Sequence, residues 1–414
     1  MAKVKEHYDV IVIGGGASGM MTAGVAAERG RRVLLLEKNP KLGEKLKITG
    51  GGRCNITNDE SDIHTFLAVY RDASKFLFSS FSQFNKDNTF GFFEKLGLPV
   101  VVQARKRCFP QTEKALDVYK ALESFITKHG VVVKTKSAVQ KILTKDKQII
   151  GVQVGADVYS AESYVVATGG VSHPETGSTG DGFAWVQKLG HTVNKPNPNI
   201  VPLRVAEKWV KKLSGTSLSF MKIYFYLDGR RQFDRLGKIL FTHFGVSGPL
   251  ILNSAYEVIQ ILEKGKVTCI VDAYPDTDLG SLEKKVLSVF EVNKNKILKN
   301  ILKEVVPLGF TETVLEQTKI SGDMKVHSVS REDRKKIVRF LKAMPFTIDG
   351  TLGFEKAVVS DGGVVLSEVD IKDFRSKILP NLFFTGDMLH INRPSGGYSL
   401  QLCWTTGFVV GKNV

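Results

Sequence analysis

The stretch that decides the fold runs Tyr8-Asp9-Val10-Ile11-Val12-Ile13-Gly14-Gly15-Gly16-Ala17-Ser18-Gly19 and closes at Val33-Leu34-Leu35-Leu36-Glu37. A run of β-branched residues feeds a turn with glycines at 14, 16 and 19. A helix of small residues follows, then a second apolar strand that ends in an acid. Each part has a job in holding a dinucleotide. Gly14 permits the tight turn, Gly16 lets backbone approach a diphosphate, and Gly19 lets the helix pack close to the strand. The helix start, with Ala17 and Ser18, offers unpaired N–H groups and the positive end of its dipole to phosphate. Glu37 stands at the offset where a carboxylate accepts both ribose hydroxyls, and Lys38 beside it is a further candidate contact. Strand, turn, helix, strand and acid arrive in register, which a lone glycine motif does not achieve.

At 414 residues the chain is long enough for two or three domains and a sizeable core. Hydrophobic residues at 43% and charged ones at 24% place it among ordinary soluble globular proteins. Cys54, Cys108, Cys269 and Cys403 form no CxxC pair and no metal-ligand spacing. Neither a disulfide framework nor a metal site is expected, and a reducing cytoplasm fits. Residues 10–27 carry no charge behind Lys3 and Lys5, yet the glycine triplet at their centre and the acids Glu6 and Asp9 argue against a signal peptide or membrane helix. The net charge of +16 raises nucleic acid as a partner. The lysine-rich region around 263–304 reads as solvated helix faces, and no aromatic-interleaved basic motif stands out. Nucleic acid is therefore not the expected partner. A small anionic substrate would profit equally from the positive field.

Residues 8–38 form the opening βαβ unit of a doubly wound sheet, and 41–58 a basic, glycine-rich loop. Residues 63–97 read as helices whose phenylalanines belong to the core. Ala115–His129 is an amphipathic helix with Ala115, Val118, Leu122 and Phe125 on one stripe. A strand is expected at Val131–Thr135, a hairpin at Val139–Leu143 and Ile149–Val154, and a buried strand within 161–170. Lys195-Pro196-Asn197-Pro198-Asn199 reads as a linker. Residues 200–272 are strand-rich and 279–343 helical; sheet character returns at 355–370. The expected architecture is α/β. A Rossmann-like cofactor domain spans 1–194 and 346–414. Its insert, 195–345, is β-rich to about 275 and helical from about 276.

Four segments resemble a known family. They are Thr49–Thr57 (TGGGRCNIT), Ala167–His191 (ATGGVSHPETGSTGDGFAWVQKLGH), Leu240–Pro249 (LFTHFGVSGP), and Phe383–Gly411 with Ser395-Gly396-Gly397-Tyr398. Together, and over nearly the whole chain, they resemble the BaiN-like bacterial flavoproteins, the group related to 3-dehydro-bile-acid Δ4,6-reductase. The resemblance implies FAD rather than NAD in the first Rossmann unit, in the two-dinucleotide-fold manner. It implies flavin contacts at Gly51, Gly52, Arg53, Cys54 and Asn55, and an adenine contact at Val139. Thr168 and Gly169 would meet the adenosine–diphosphate half, and Gly386 and Asp387 the diphosphate and ribityl chain. Gly397, Tyr398 and Ser399 look like a helix start whose N–H groups face the flavin pyrimidine. Cys54, with no CxxC partner, reads as a small packed residue of its loop.

Two departures from the family pattern bear on substrate. The late motif usually has Glu after the glycine and an Asp-Val-Asp-Gly run before the glycine pair. Here Asp387 replaces the acid and Leu389-His390-Ile391-Asn392-Arg393-Pro394 replaces the run. The gain of basic residues favours an anionic substrate or a more oxidising flavin. Flavins carry the electron chemistry themselves, so the protein orients substrate and manages protons. Imidazole as a side-chain type can relay protons near neutrality, so His173, His243 and His390 are candidate proton relays. Tyr398 is a candidate to orient flavin or substrate, and Arg53 to stabilise the reduced ring.

The expected reaction is hydride transfer at flavin N5, an NAD(P)H-linked reduction of an activated C=C in a small molecule. No second GxGxxG unit is present, so NAD(P)H would be a transient donor. The rivals are an oxidase of a small amine or ketone using O2, a flavin-dependent nucleic-acid modification enzyme or RNA-binding flavoprotein, and a non-catalytic redox sensor. Nothing in the sequence fixes an oligomeric state.

Overall fold

The computed structural model describes residues 4–414; Met1–Lys3, the start of the expected 1–194 segment, lie outside the described residues. Two compact units divide the chain, one ending at Pro198 and resuming at Ala357–Val414, the other Asn199–Lys356.

In the first unit, β1 (Val4–Ile13) leads through the glycine turn into α1 (Ala17–Glu28) and then β2 (Val33–Leu36). The uncharged 10–27 stretch is thus the end of a strand plus a helix. β1 pairs in parallel with β2, Val10 opposite Val33 and Ile13 opposite Leu36. On its other side it pairs with the strand Asp157–Val166, Ile13 opposite Val166. Val132–Lys134 extends the sheet beyond β2, and Leu382–Phe384 joins the end of Asp157–Val166 in parallel. The hairpin Lys141–Lys145 and Gln148–Val154 completes it. Every residue of β2 is buried, as in a parallel sheet covered on both faces.

The small residues of α1 admit other backbone. A Cβ on Gly407 of the C-terminal helix Tyr398–Asn413 would lie 2.7 Å from the Ser18 carbonyl, and one on Gly411 would lie 2.7 Å from that of Thr22. Residues 63–97 are helical at Ile63–Ala68, Ser74–Gln83 and Lys86–Lys95, with Phe66, Phe81 and Phe93 in the core. The helix Ala115–Lys128 buries Ala115, Val118, Leu122 and Phe125.

The Pro/Asn segment, within which the first unit ends, is a strand rather than an irregular connection. It lies within the strand Val193–Asn199, which pairs with Val359–Val364 as a two-stranded ribbon. Proline is tolerated because such a ribbon has free edges that require no N–H. Gly362, at φ +108°, accommodates it, since a Cβ there would lie 2.6 Å from the Pro196 Cα.

The second unit is a closed, six-stranded antiparallel barrel. Its order is Leu203–Val205, Gly245–Ser247, Arg230–Thr242, Ser217–Leu227, Val267–Asp272 and Met344–Thr351, which pairs back to the first. Sheet character therefore returns earlier than the expected 355, because the strand after the helical region closes the barrel. That region holds Leu279–Val292, Leu298–Leu302, Thr311–Thr318 and Arg331–Lys342. No described helix is long and apolar enough to cross a membrane.

Candidate functional site

The three glycines of the first turn differ physically. Gly14 sits at φ +108°, and a Cβ there would lie 2.5 Å from the Ala167 carbonyl. A Cβ on Gly19 would lie 1.9 Å from the Gly14 carbonyl, so helix and turn touch. At Gly16 a Cβ would meet nothing within 4 Å: the space over the helix start is open. Gly16 is also the helix cap and has no side-chain hydrogen bond, which leaves the first amides of α1 for a ligand. Glu37 braces this turn, Oε2 accepting from the Gly15 N–H and Oε1 from the Asn39 N–H, each at 2.8 Å. Lone pairs remain on both oxygens for a ribose.

The late glycine turn meets the same helix start. Thr385 Oγ1 lies 3.1 Å from Ser18 Oγ, and a Cβ on Gly386 (φ +56°) would lie 3.0 Å from that hydroxyl. The chain then carries a fully buried guanidinium. Arg393 Nε donates to Ser399 Oγ at 3.0 Å, Nη1 to the Ile391 carbonyl at 2.8 Å, and Nη2 to the Asp387 carboxylate. Asp387 and Ser399, expected to face cofactor, are thus already engaged by Arg393. Gly397 packs on the Thr57 carbonyl, and Tyr398 opens the C-terminal helix. The Tyr398 ring stands edge-on to Phe66 at 5.1 Å, and burial pushes its hydroxyl pKa up, which makes it a poor proton donor.

In the loop between, Gly51 and Gly52 take positive φ and face open space. Cys54 is fully buried and its thiol is pushed up to about 12 by desolvation, as suits a packed residue. Asn55 Oδ1 accepts the Cys108 N–H at 3.1 Å and so fixes the loop. Arg53 pairs with Glu113 at 2.9 Å, donates to Gln103 at 2.7 Å and lies 4.2 Å over the Phe109 ring. Its Nε–H alone is buried without a partner. Val139 is buried, Thr168 Oγ1 contacts Met388 Sδ at 3.1 Å, Gly169 sits at φ +73°, and Lys38 pairs with Asp181 at 2.7 Å.

The three candidate histidines do not come together in one unit. His243 is exposed in the turn between two barrel strands. His173 and His390 belong to the first unit. His173 Nδ1 lies 2.8 Å from Glu175. His390 Nδ1 and Asp361 Oδ1 face each other at 4.0 Å, both buried and neither hydrogen-bonded. Sequence reasoning missed Asp361, whose Ser-Asp-Gly-Gly setting looks like an ordinary turn. It also missed Lys45, Ser172 and Ser178, and the buried Gln401, whose Oε1 accepts from Thr57 at 2.6 Å and Thr89 at 2.9 Å. Only Arg393 carried a signal, as a departure from the family pattern.

Comparison with known proteins adds to this geometry. Residues 8–413 match the family described as HI0933-like protein Rossmann domain. A 3-dehydro-bile acid delta(4,6)-reductase of Clostridium scindens is 27% identical, covering 97% of this chain and 97% of the relative. A ribosomal RNA dihydrouridine synthase of Haemophilus influenzae is also 27% identical, covering 99% of each. Among solved structures, a 3-ketosteroid-delta4-(5alpha)-dehydrogenase of Rhodococcus jostii RHA1 in complex with 4-androstene-3,17-dione aligns at TM-score 0.56. It is 14% identical, with 100% of this chain and 97% of that one covered, a likeness of fold.

Proposed function

This chain belongs to the HI0933-like Rossmann family, and from that premise we propose that the protein, an FAD-dependent oxidoreductase, reduces a carbon–carbon double bond conjugated to a carbonyl. The observation that carries the reading is the convergence of two glycine turns, at Gly14–Gly19 and at Gly386, on the open, uncapped start of α1. FAD would be held by that start, by Glu37, by the Gly51–Asn55 loop and by the Gly386–Ser399 segment. Bound flavin supplies hydride chemistry at N5. The relatives' names supply the bond class. A Δ4,6 bond of a 3-dehydro bile acid and the uracil bond saturated in making dihydrouridine are both conjugated to a carbonyl.

Saturating such a bond requires a proton at the carbon beside the carbonyl. His390, which faces the Asp361 carboxylate across 4.0 Å, is the candidate to deliver that proton. NAD(P)H serves as a transient donor.

A second reading, with the ring carried by RNA, is favoured by one observation on the barrel. The strands Ser217–Leu227 and Arg230–Thr242 set Tyr226 opposite Arg231. The Arg231 guanidinium lies 4.7 Å and the Lys222 ammonium 5.3 Å from the Tyr224 ring, with Arg230 and Arg235 exposed nearby. Folding thus assembles an aromatic-interleaved ribbon of cations that does not stand out along the chain, with Lys222 and Arg231 sharing Asp234 and Arg235 meeting Glu257.

The test is stopped-flow reduction of the flavin by NADH or NADPH, then reoxidation by a steroid dienone or by a uridine-containing rRNA fragment. Rapid bleaching and reoxidation by either acceptor supports the proposal. Reoxidation by O2 alone makes the protein an oxidase and sinks it. Replacing Arg230, Arg231 and Arg235 by Gln weakens RNA binding and flattens its salt dependence if RNA is the substrate. Dienone turnover stays unchanged.

A further inference from the structure

Four cations on the segments around the candidate site each have a carboxylate partner. Lys38 has Asp181, Lys47 has Glu44, Arg53 has Glu113 and Arg393 has Asp387. Lys45 has no carboxylate at ion-pairing distance among the described residues. Its Nζ donates to Ser178 Oγ at 2.8 Å and to Ser172 Oγ at 3.2 Å. Both serines are buried, so the hydroxyls belong to the packed interior. Lys45 as a residue keeps some exposure, but desolvation of the ammonium is the largest influence on its titration and lowers its pKa. Hydroxyls satisfy donors without supplying charge. An ammonium has three N–H groups, and the serines take two. A desolvated cation without a counter-charge is costly, and here the protein provides none in contact.

The place of Lys45 says where a counter-charge would come from. It sits on Glu44–Ile48, directly before the Thr49–Gly52 turn whose Gly51 and Gly52 face open space. Ser178 belongs to the glycine-rich 177–182 loop, and a Cβ on Gly169 would lie 3.3 Å from its hydroxyl. Gly51, Gly52 and Gly169 are residues assigned to the dinucleotide.

We propose that Lys45, positioned by Ser172 and Ser178, is an anion-binding residue whose counter-charge is the bound dinucleotide, through a diphosphate oxygen or through the ring once reduced. The inference rests on the FAD reading for the identity of the anion, not for the existence of the site.

The experiment compares wild type with Lys45→Met, which keeps the aliphatic stem, and Lys45→Arg, which keeps the charge. Apoprotein is titrated with FAD by flavin fluorescence, and the bound flavin is titrated against redox dyes. A Kd for oxidised FAD at least tenfold weaker in Lys45→Met, with the potential unmoved, assigns the contact to the diphosphate. An unchanged Kd with a potential lower by about 30 mV, the equivalent of tenfold for a two-electron couple, assigns it to the ring. Lys45→Arg recovers most of either effect. Lys45→Met apoprotein melts no lower than wild type, because the removed ammonium was desolvated with no carboxylate in contact; an ordinary structural lysine would give the opposite. Kd and potential both unchanged in a folded variant overturn the proposal. If wild type takes up no flavin, the FAD reading falls, and the site is tested with inorganic pyrophosphate by thermal shift. A rise in wild type that Lys45→Met lacks upholds an anion site; equal shifts in both overturn it.

Discussion

The loop that carries Lys45 and the loop that carries Arg393 each draw a cation in from solvent, and they settle its charge differently. Arg393 is closed within the chain: Asp387, Ser399 and the Ile391 carbonyl take its donors. Lys45 meets two hydroxyls and no carboxylate. A compensated charge is part of the architecture and orders its surroundings. An uncompensated one stores a demand that a ligand can meet. Sequence treats both as basic residues in glycine-rich loops, so the distinction lies wholly in what folding brings beside them.

The sharpest way to break this comparison is to remove the partner of Arg393. Asp387→Ala leaves a fully buried guanidinium without its carboxylate and should destabilise the apoprotein by about 3–5 kcal/mol. Denaturant unfolding measures it. Arg393→Leu combined with Asp387→Ala should recover most of the loss, since a buried pair replaced by apolar groups is often near neutral. A single-variant loss below about 1 kcal/mol would mean that water reaches the guanidinium, and the two loops would no longer differ in kind.

Glu37 offers a smaller, mixed case. Its carboxylate both braces the turn, through the N–H groups of Gly15 and Asn39, and keeps lone pairs for ribose hydroxyls. Glu37→Ala should weaken FAD binding by about 2–4 kcal/mol and lower apoprotein stability by about 1–3 kcal/mol. Isothermal titration with FAD and thermal unfolding separate the two. Affinity lost with stability intact makes Glu37 purely a ligand contact, and the reverse makes it purely a brace.

The first turn was legible because its constraints are local. Gly19 meets the Gly14 carbonyl, and Gly14 needs its positive φ for a turn within the same βαβ unit, so a short sequence window contains both constraints, although the Ala167 carbonyl that also crowds Gly14 comes from far along the chain. The aliphatic runs of β1 and β2, and the stripe of Ala115–Lys128, were legible for the same reason. The Pro196 ribbon was not, because its partner Gly362 lies far along the chain. Nor was the strand Met344–Thr351, since barrel closure is a non-local fact with a weak local pattern. The candidate site divides in the same way. Asp387 and Arg393 are six residues apart, near enough for the departure in that run to be noticed. Lys45 and Ser178, or Asp361 and His390, meet only in the folded chain. Gln401 is a polar residue in an apolar helix, and its partners Thr57 and Thr89 come from distant segments.

The smallest expected effect concerns Arg53, the cation that sequence alone favoured for the flavin. Its charge is answered by Glu113 at a partly exposed position and its plane rests on Phe109. Such a pair presents little net field to a buried group, and solvent screens what remains. Only the unpartnered Nε–H is turned inward, and that can offer one hydrogen bond rather than a free charge. Arg53→Met alone would expose the Glu113 carboxylate, so the informative variant pairs it with Glu113→Gln. The double variant should hold the flavin potential within about 10 mV of wild type, well inside the roughly 30 mV that marks a tenfold preference between oxidation states. Dye-equilibrated titration with FAD saturating reads it. A fall of that larger size would put Arg53 in electrostatic contact with the ring. Its loop would then carry two functional cations, and compensation by a nearby carboxylate would cease to distinguish a structural charge from a binding one.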